Sequence, residues 1–141
     1  MVLQKKRHKI KISLLISKKW NKVEYGFYGL KSTTGGVLTA KQLEASRRVI
    51  SRETKRVGKI FIRVFFSLPI TKKPLLSRMG KGCGQVKSWV VVVKKGTVIL
   101  EINGVNDTRL AKNALKTASL RLPIKVVTVA RDIICLSSSN W

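Results

Sequence analysis

The sequence predicts one α+β domain, in which two helices pack on one face of a mostly antiparallel sheet. Two segments with a helical apolar period lie among short β-favouring segments, without the regular β-α alternation of parallel sheets. A length of 141 residues suits one domain with tails. Because 44% of the residues are hydrophobic, the chain can bury a core, which excludes a wholly disordered protein.

The chain divides by composition into an arm, a folded domain and a tail. We expect a basic N-terminal arm at residues 1–22, the domain at residues 23–136 and a polar tail at residues 137–141. The arm contains basic residues and no acid. Such arms commonly bind nucleic acid. The alternative, an organelle transit peptide, is usually richer in arginine than this segment, which has a single Arg.

Runs of β-branched and aromatic residues predict the strands. They lie near residues 23–30, 59–66, 89–93, 97–102 and 124–129. Ser, Thr and Gly at residues 32–36 indicate a turn after the first strand. The third and fourth strands are predicted to form a hairpin across residues 94–96, and their continuous apolar character predicts burial on both faces.

The first helix has the clearest start signal. Thr39 and Gln42 have the spacing of a capping box, in which each side chain accepts a hydrogen bond from the other residue's backbone N–H. Gly58 is well placed to end the helix. The predicted buried face contains Leu43, Ile50 and Val57.

The second helix is predicted to begin after Asn106 or Asp107, both good caps, and to end before Pro123. Its inward side chains are predicted to be Leu110, Ala111, Ala114, Leu115 and Ala118.

The charge balance points to a polyanionic partner. Thirty Lys and Arg oppose six Asp and Glu, which gives a net charge of +24.

One His and scattered acids offer little for general acid–base catalysis, so we expect no enzyme, cofactor or small-molecule substrate. Cys83 and Cys135 lack metal-ligand spacing, so no metal site is expected. No apolar run approaches the ~20 residues of a membrane span.

Basic side chains in the arm and on the first helix are the candidate RNA-binding residues. On a helix, such a face is ordinarily a solvated surface, but in so basic a chain a phosphate-facing ridge is favoured. The candidates are Lys5, Lys6, Arg7, Lys9 and Lys11 in the arm, and Lys41, Arg48, Arg52, Lys55 and Lys59 in the domain.

A long loop at residues 66–88 contains glycines at alternate positions, basic residues and no acid. Glycines permit positive φ and close backbone approach, while cations bind phosphate oxygens. The candidate residues are Arg78, Met79, Gly80, Lys81, Gly82 and Gly84. The loop fails the P-loop pattern because Gly82 follows Lys81, which disfavours a phosphate-handling enzyme. A flexible loop without an ordered partner is the other alternative.

Four segments together resemble the bacterial-type large-subunit ribosomal protein sixteen family. They are LTAKQLEASRR at residues 38–48, GKIFIRVF at 58–65, PITKKPLLSRMGKGCG at 69–84 and LPIK at 122–125. The resemblance implies a hammerhead-type α+β fold and a structural role in the large ribosomal subunit. Its implied partners are large-subunit rRNA, tRNA in the aminoacyl site and neighbouring ribosomal proteins.

The resemblance also implies roles for parts of the chain. The basic loop would lie near the peptidyl-transferase centre, and the protein would support translation and late subunit assembly. Family members usually carry Lys where this chain has Cys83, which removes one phosphate contact. LPIT at residues 68–71 resembles mitochondrial members, which favours a mitochondrial ribosome over a plastid or bacterial one. The alternative function is an independent nucleic-acid-binding regulator, although the sequence lacks a DNA-reading signature.

Overall fold

The computed structural model describes residues 16–17, 19–80 and 82–131, which form seven strands and two helices. The predicted arm residues Lys5, Lys6, Arg7, Lys9 and Lys11, the loop residue Lys81 and the tail lie outside the described residues. The elements in chain order are β1 Tyr28–Ser32, β2 Gly36–Thr39, α1 Ala40–Glu53, β3 Lys59–Ile62, β4 Leu68–Lys72, β5 Gln85–Val93, β6 Val98–Asn103, α2 Thr108–Ser119 and β7 Val126–Ala130.

The α+β class is confirmed, but the strands divide between two antiparallel sheets instead of forming one. The larger sheet has the strand order β3-β6-β1-β7, and the smaller has the order β2-β5-β4. Helix α2 packs on β1 and β7, while α1 packs on α2 and touches β2. The core between these layers contains Leu30, Leu38, Leu43, Ile50, Ile99, Leu100, Ile102 and Leu115.

The predicted start of α1 is confirmed in atomic detail. The Thr39 hydroxyl accepts a hydrogen bond from the Gln42 N–H at 3.4 Å, and the Gln42 side chain accepts one from the Thr39 N–H at 3.0 Å. Leu43 and Ile50 are buried on the face that the spacing predicted. The capping box therefore fixes where this helix begins, and the spacing of its apolar residues sets which face enters the core.

The predicted end of α1 at Gly58 is wrong. The helix ends at Glu53, because Lys55 and Arg56 have φ values of 51° and 63°, which no α-helix accommodates. Val57 consequently lies outside the helix with 57% of its surface exposed, instead of joining the core.

The predicted hairpin of the third and fourth strands is also wrong. Strand β5 pairs with β2 and β4, whereas β6 lies between β1 and β3 in the other sheet. The connecting turn joins the end of β1: Gly96 N–H donates to the Ser32 carbonyl, and Ser32 N–H donates to the Thr97 carbonyl. These bonds draw β6 to β1. The predicted burial on both faces is confirmed for β6. It is not found for β5, where Trp89 is 49% exposed.

The loop predicted at residues 66–88 is shorter in the structure. Strand β3 ends at Ile62, and Pro69 is part of β4 instead of interrupting regular structure. β4 is the edge strand of its sheet, which is where a strand tolerates a residue without an N–H. The irregular loop therefore covers residues 73–84.

The chain after β6 follows the prediction closely. Asp107 caps α2 by accepting hydrogen bonds from the Arg109 and Leu110 N–H groups at 2.8 and 3.3 Å. The alanines at 111, 114 and 118 and Leu115 are buried, and β7 pairs with β1.

A buried carboxylate anchors the chain before β1. Glu101, on β6, is fully buried, and its Oε2 accepts hydrogen bonds from the N–H groups of Tyr25 and Gly26 at 2.7 and 2.9 Å. Arg63 donates from Nη1 to Glu101 and from Nη2 to Glu24, the latter at 2.9 Å. Because Glu101 lies within the sheet, it holds both the segment before β1 and the Arg63 guanidinium in place.

We expect Glu101→Ala to lower the free energy of unfolding by about 3–5 kcal/mol, because it leaves a buried guanidinium and backbone N–H groups without their acceptor. Urea denaturation measures this change. Glu44→Ala, at a partly exposed glutamate that also pairs with arginine, is the matched control and should cost less than about 1 kcal/mol. Equal losses in the two variants would contradict the anchoring role of Glu101.

Candidate nucleic-acid interface

Most of the positive charge in the described part of the chain has no acidic partner. The ion pairs found there are Arg63 with Glu24 and Glu101, and Glu44 with Arg47 and Arg48. Asp107 caps α2. Four of the five acids there thus hold internal contacts, Glu53 is exposed, and the other Lys and Arg side chains are available to an external anion.

The predicted basic face of α1 is present in the structure. Lys41, Arg48 and Arg52 are exposed and lie within about 40° of one another around the helix axis at 100° per residue. Lys55 and Lys59 are also exposed, but they follow the end of the helix. We call Lys41, Arg48 and Arg52 the α1 ridge.

A second basic face on α2 was missed by the sequence analysis. Arg109, Lys112 and Lys116 are exposed, and their i, i+3, i+7 spacing places them on one side of the helix. The same periodicity that identified the buried alanines would have identified this face. Because α1 and α2 pack against each other, the domain presents two neighbouring basic helices.

One carboxylate moderates the charge of the α1 ridge. Glu44 Oε1 accepts hydrogen bonds from Arg47 Nη2 at 2.8 Å and from Arg48 Nε at 3.0 Å, and Oε2 accepts one from Arg47 Nε at 2.9 Å. These hydrogen bonds, first that of Arg47, lower the pKa of Glu44 to about 2. Glu44 is therefore ionised at neutral pH, and it partly neutralises the predicted RNA-binding residue Arg48.

The loop at residues 73–84 connects β4 to β5 and is held at its base. Gly84 lies so close to β4 that a Cβ there would be 2.5 Å from the Lys72 carbonyl oxygen. Lys73 Nζ donates to the Gly80 carbonyl across the loop. Gly80 and Gly82 have φ values of +98° and +86°, so the expectation of positive φ is confirmed at these positions.

The side chains in the outer part of this loop pack little against the rest of the domain. Leu75, Leu76 and Met79 are 98%, 100% and 93% exposed, and Arg78 is exposed beside them. An ideal Cβ at Gly80 or Gly82 would have no atom within 4 Å. The loop therefore presents an apolar and basic surface that a partner can contact.

Aromatic rings and cations form a cluster from the segment before β1 and from β3 with the residue that follows it. The Arg63 guanidinium carbon lies 4.7 Å from the Tyr25 ring centroid and 5.5 Å from that of Trp20. The Tyr25 and Phe61 rings stack at 5.7 Å, and Lys59 Nζ lies 5.7 Å from the Phe61 centroid. We call Trp20, Tyr25 and Phe61 with Arg63 the aromatic cluster.

Residues 16–17, 19–80 and 82–131 contain no candidate metal site and no helix that could span a membrane. No three His, Cys, Asp or Glu side chains there come together as metal ligands would. Neither helix is long and apolar enough to cross a bilayer.

Comparison with known proteins identifies the family. The model of the family "Ribosomal protein L16p/L10e" matches residues 2–129. The chain belongs to the L16p/L10e family of ribosomal proteins. It is 50% identical over 114 residues to large ribosomal subunit protein uL16 of Buchnera aphidicola, covering 81% of this chain and 83% of the relative.

Other bacterial members of the L16p/L10e family are equally similar. The uL16 protein of Coxiella burnetii is 49% identical over 118 residues, covering 84% of this chain and 85% of the relative. That of Acinetobacter baylyi is 51% identical over 111 residues, covering 79% and 80%. Family membership confirms the resemblance and the structural role in the large ribosomal subunit that it implied.

We expect Glu44→Gln to strengthen RNA binding, because it releases Arg47 and Arg48 to contact phosphates. The plot of log affinity against log salt should become steeper by about 0.7–0.9 for each phosphate gained. Lowering the pH cannot replace this variant. Because the pKa of Glu44 is lowered, its ion pair with the arginines is fully formed above the ordinary carboxyl pKa and is lost only as the pH falls toward about 2.

Glu53→Gln is the matched control for Glu44→Gln, since it removes the same charge from the same helix at an exposed position. Filter binding to large-subunit rRNA at several salt concentrations compares the two. An equal effect of both variants would show that net charge, and not release of the two arginines, governs binding.

Proposed function

We propose that this structural protein of the large ribosomal subunit binds large-subunit rRNA through its basic helices and helps to shape the aminoacyl-tRNA site through the loop at residues 73–84. The observation that carries the proposal is the exposed basic surface on α1 and α2, where Arg47 and Arg48 are the described side chains paired with an acid. Family membership supports the ribosomal setting. In this role the protein supports translation and late assembly of the subunit.

The basic helices supply the affinity in this proposal. Neutralisation of phosphates by Lys and Arg releases the counterions condensed on RNA, which favours binding irrespective of base sequence. The α1 ridge and the exposed face of α2 lie on helices that are already formed, so binding orders their side chains and not the backbone. The proposed rRNA-binding residues are Lys41, Arg48, Arg52, Lys55 and Lys59, with Lys5, Lys6, Arg7, Lys9 and Lys11 of the arm.

The loop supplies the contact near the peptidyl-transferase centre. The proposed residues are Arg78, Met79, Gly80, Lys81, Gly82 and Gly84. Arg78 and Met79 are exposed, and the surroundings of Gly80 and Gly82 are open, so a tRNA or rRNA backbone can approach the loop closely. The proposed mechanism is binding and positioning without a reaction, cofactor or small-molecule substrate.

We also propose a mitochondrial location for this ribosome. The support is the segment LPIT at residues 68–71, which resembles mitochondrial members of the family. The relatives described above are bacterial, which fits the alternative of a bacterial cytoplasm; a plastid is the third alternative. Recovery of the chain with ribosomes outside mitochondria after cell fractionation would overturn the mitochondrial assignment.

We expect the affinity of the purified protein for large-subunit rRNA to fall steeply with salt, with a log–log slope of about −0.7 to −0.9 per phosphate contacted. Arg52→Ala should make the slope shallower by about that amount, because it removes one contact. Arg52→Lys is the control that keeps the charge and should keep the slope. Affinity independent of salt would contradict rRNA binding by counterion release.

We expect replacement of both Arg78 and Lys81 by Ala to impair tRNA accommodation or subunit maturation much more than folding. The exposed side chain of Arg78 does not stabilise the domain. The free energy of unfolding, measured by thermal denaturation, should therefore change by no more than about 0.5 kcal/mol. Reconstituted large subunits carrying the variant provide the assay.

The double variant Lys94→Ala, Lys95→Ala removes the same charge from an exposed turn and is the control for the loop variant. If the loop variant lost thermal stability in proportion to its activity, the loop would have a structural role instead.

A further inference from the structure

We propose that the aromatic cluster is a stacking site for an unpaired base of RNA. This inference rests on the proposed function in taking RNA as the partner, and it adds a second mode of contact that does not depend on phosphate. Its residues come from the segment before β1 and from β3 with the residue that follows it, and none of them belongs to the loop at residues 73–84 or to α1 or α2.

The rings of the cluster are exposed enough to receive a ligand. Trp20 is 50% exposed and Tyr25 is 55% exposed, although both are large apolar side chains that a protein of this size ordinarily buries. Together with Phe61, Ile62 and Arg63 they line an open cavity of about 320 Å³. A cavity of this volume lies at the lower end of the range that small planar ligands occupy.

The cluster is held in position by buried contacts. The Arg63 side chain is only 3% exposed and is fixed by Glu101 and Glu24. The Arg63 guanidinium also faces the Tyr25 and Trp20 rings, which is a favourable cation–π contact. The Tyr25 backbone is in turn fixed by Glu101. A base would therefore meet rings that are already oriented.

The surrounding charge favours a nucleic acid over a protein as the occupant. Lys19 and Lys22 flank Trp20 in the chain and are exposed, and Lys59 lies beside the Phe61 ring. The neighbouring carboxylate of Glu24 is already paired with Arg63. Aromatic rings interleaved with cations are the usual platform for single-stranded nucleic acid, in which the bases stack and the phosphates meet the cations.

The test compares binding of the full chain to a short oligoadenylate and to a duplex RNA of the same length. We expect Tyr25→Leu to weaken oligoadenylate binding by about 5- to 150-fold, the effect of losing one stacked base, with an unchanged salt slope and unchanged duplex binding. Tyr25→Phe should retain the affinity. Phe65→Leu, which removes an 81% exposed ring outside the cluster, is the matched control and should have no effect.

Trp20→Leu provides a second test at a half-exposed position, with the same expected loss for oligoadenylate. If both leucine variants fail to fold, Trp20 fluorescence in a chain with Trp89→Phe and Trp141→Phe replaces them. Quenching of this fluorescence by oligoadenylate would support stacking, and its absence would overturn it.

The outcomes separate this inference from the proposed function. Folded leucine variants with unchanged oligoadenylate affinity overturn the stacking site, while salt-dependent binding of the wild-type chain to large-subunit rRNA would leave the proposed function standing. A wild-type chain that does not bind rRNA overturns the proposed function and the stacking site together.

Discussion

A scarcity of acids governs this structure. With six Asp and Glu against thirty Lys and Arg, the chain cannot neutralise itself by surface ion pairs. Most of the described acids instead hold particular internal contacts: Glu101 anchors a backbone segment, Asp107 caps a helix and Glu44 joins two arginines. The positive charge left over covers both helices, so the folded domain repels itself until a polyanion binds.

Glu101 connects the fold to the proposed RNA contacts. Its carboxylate lies in the larger sheet, yet its hydrogen bonds fix the backbone at Tyr25 and the guanidinium of Arg63. Those two groups, with Trp20, form the aromatic cluster. A buried ion pair seldom adds much net stability over apolar packing. Here its value is positional, because it fixes the backbone of Tyr25 and the guanidinium that faces the half-exposed rings.

The sequence predicted the features that depend on residues close together in the chain. The capping box of Thr39 and Gln42 and the alanine face of α2 depend on residues three or four apart, and both are confirmed. The partners of β5 and β6 depend on a turn that pairs with the distant end of β1, so adjacency in the chain suggested the wrong hairpin. The contact of Arg63 with Glu101 joins residues 38 positions apart and has no local signal.

The α1 ridge and the loop at residues 73–84 differ in how far their geometry is fixed in the free protein. The α1 ridge projects from a helix whose opposite face forms the core, so its geometry is set before RNA arrives. The loop keeps only its base in contact with β4, and Leu75 and Leu76 remain outside any packed surface. Apolar side chains so exposed gain burial only against a partner. The outer loop can therefore move without disturbing the core, whereas the helix that carries the α1 ridge cannot.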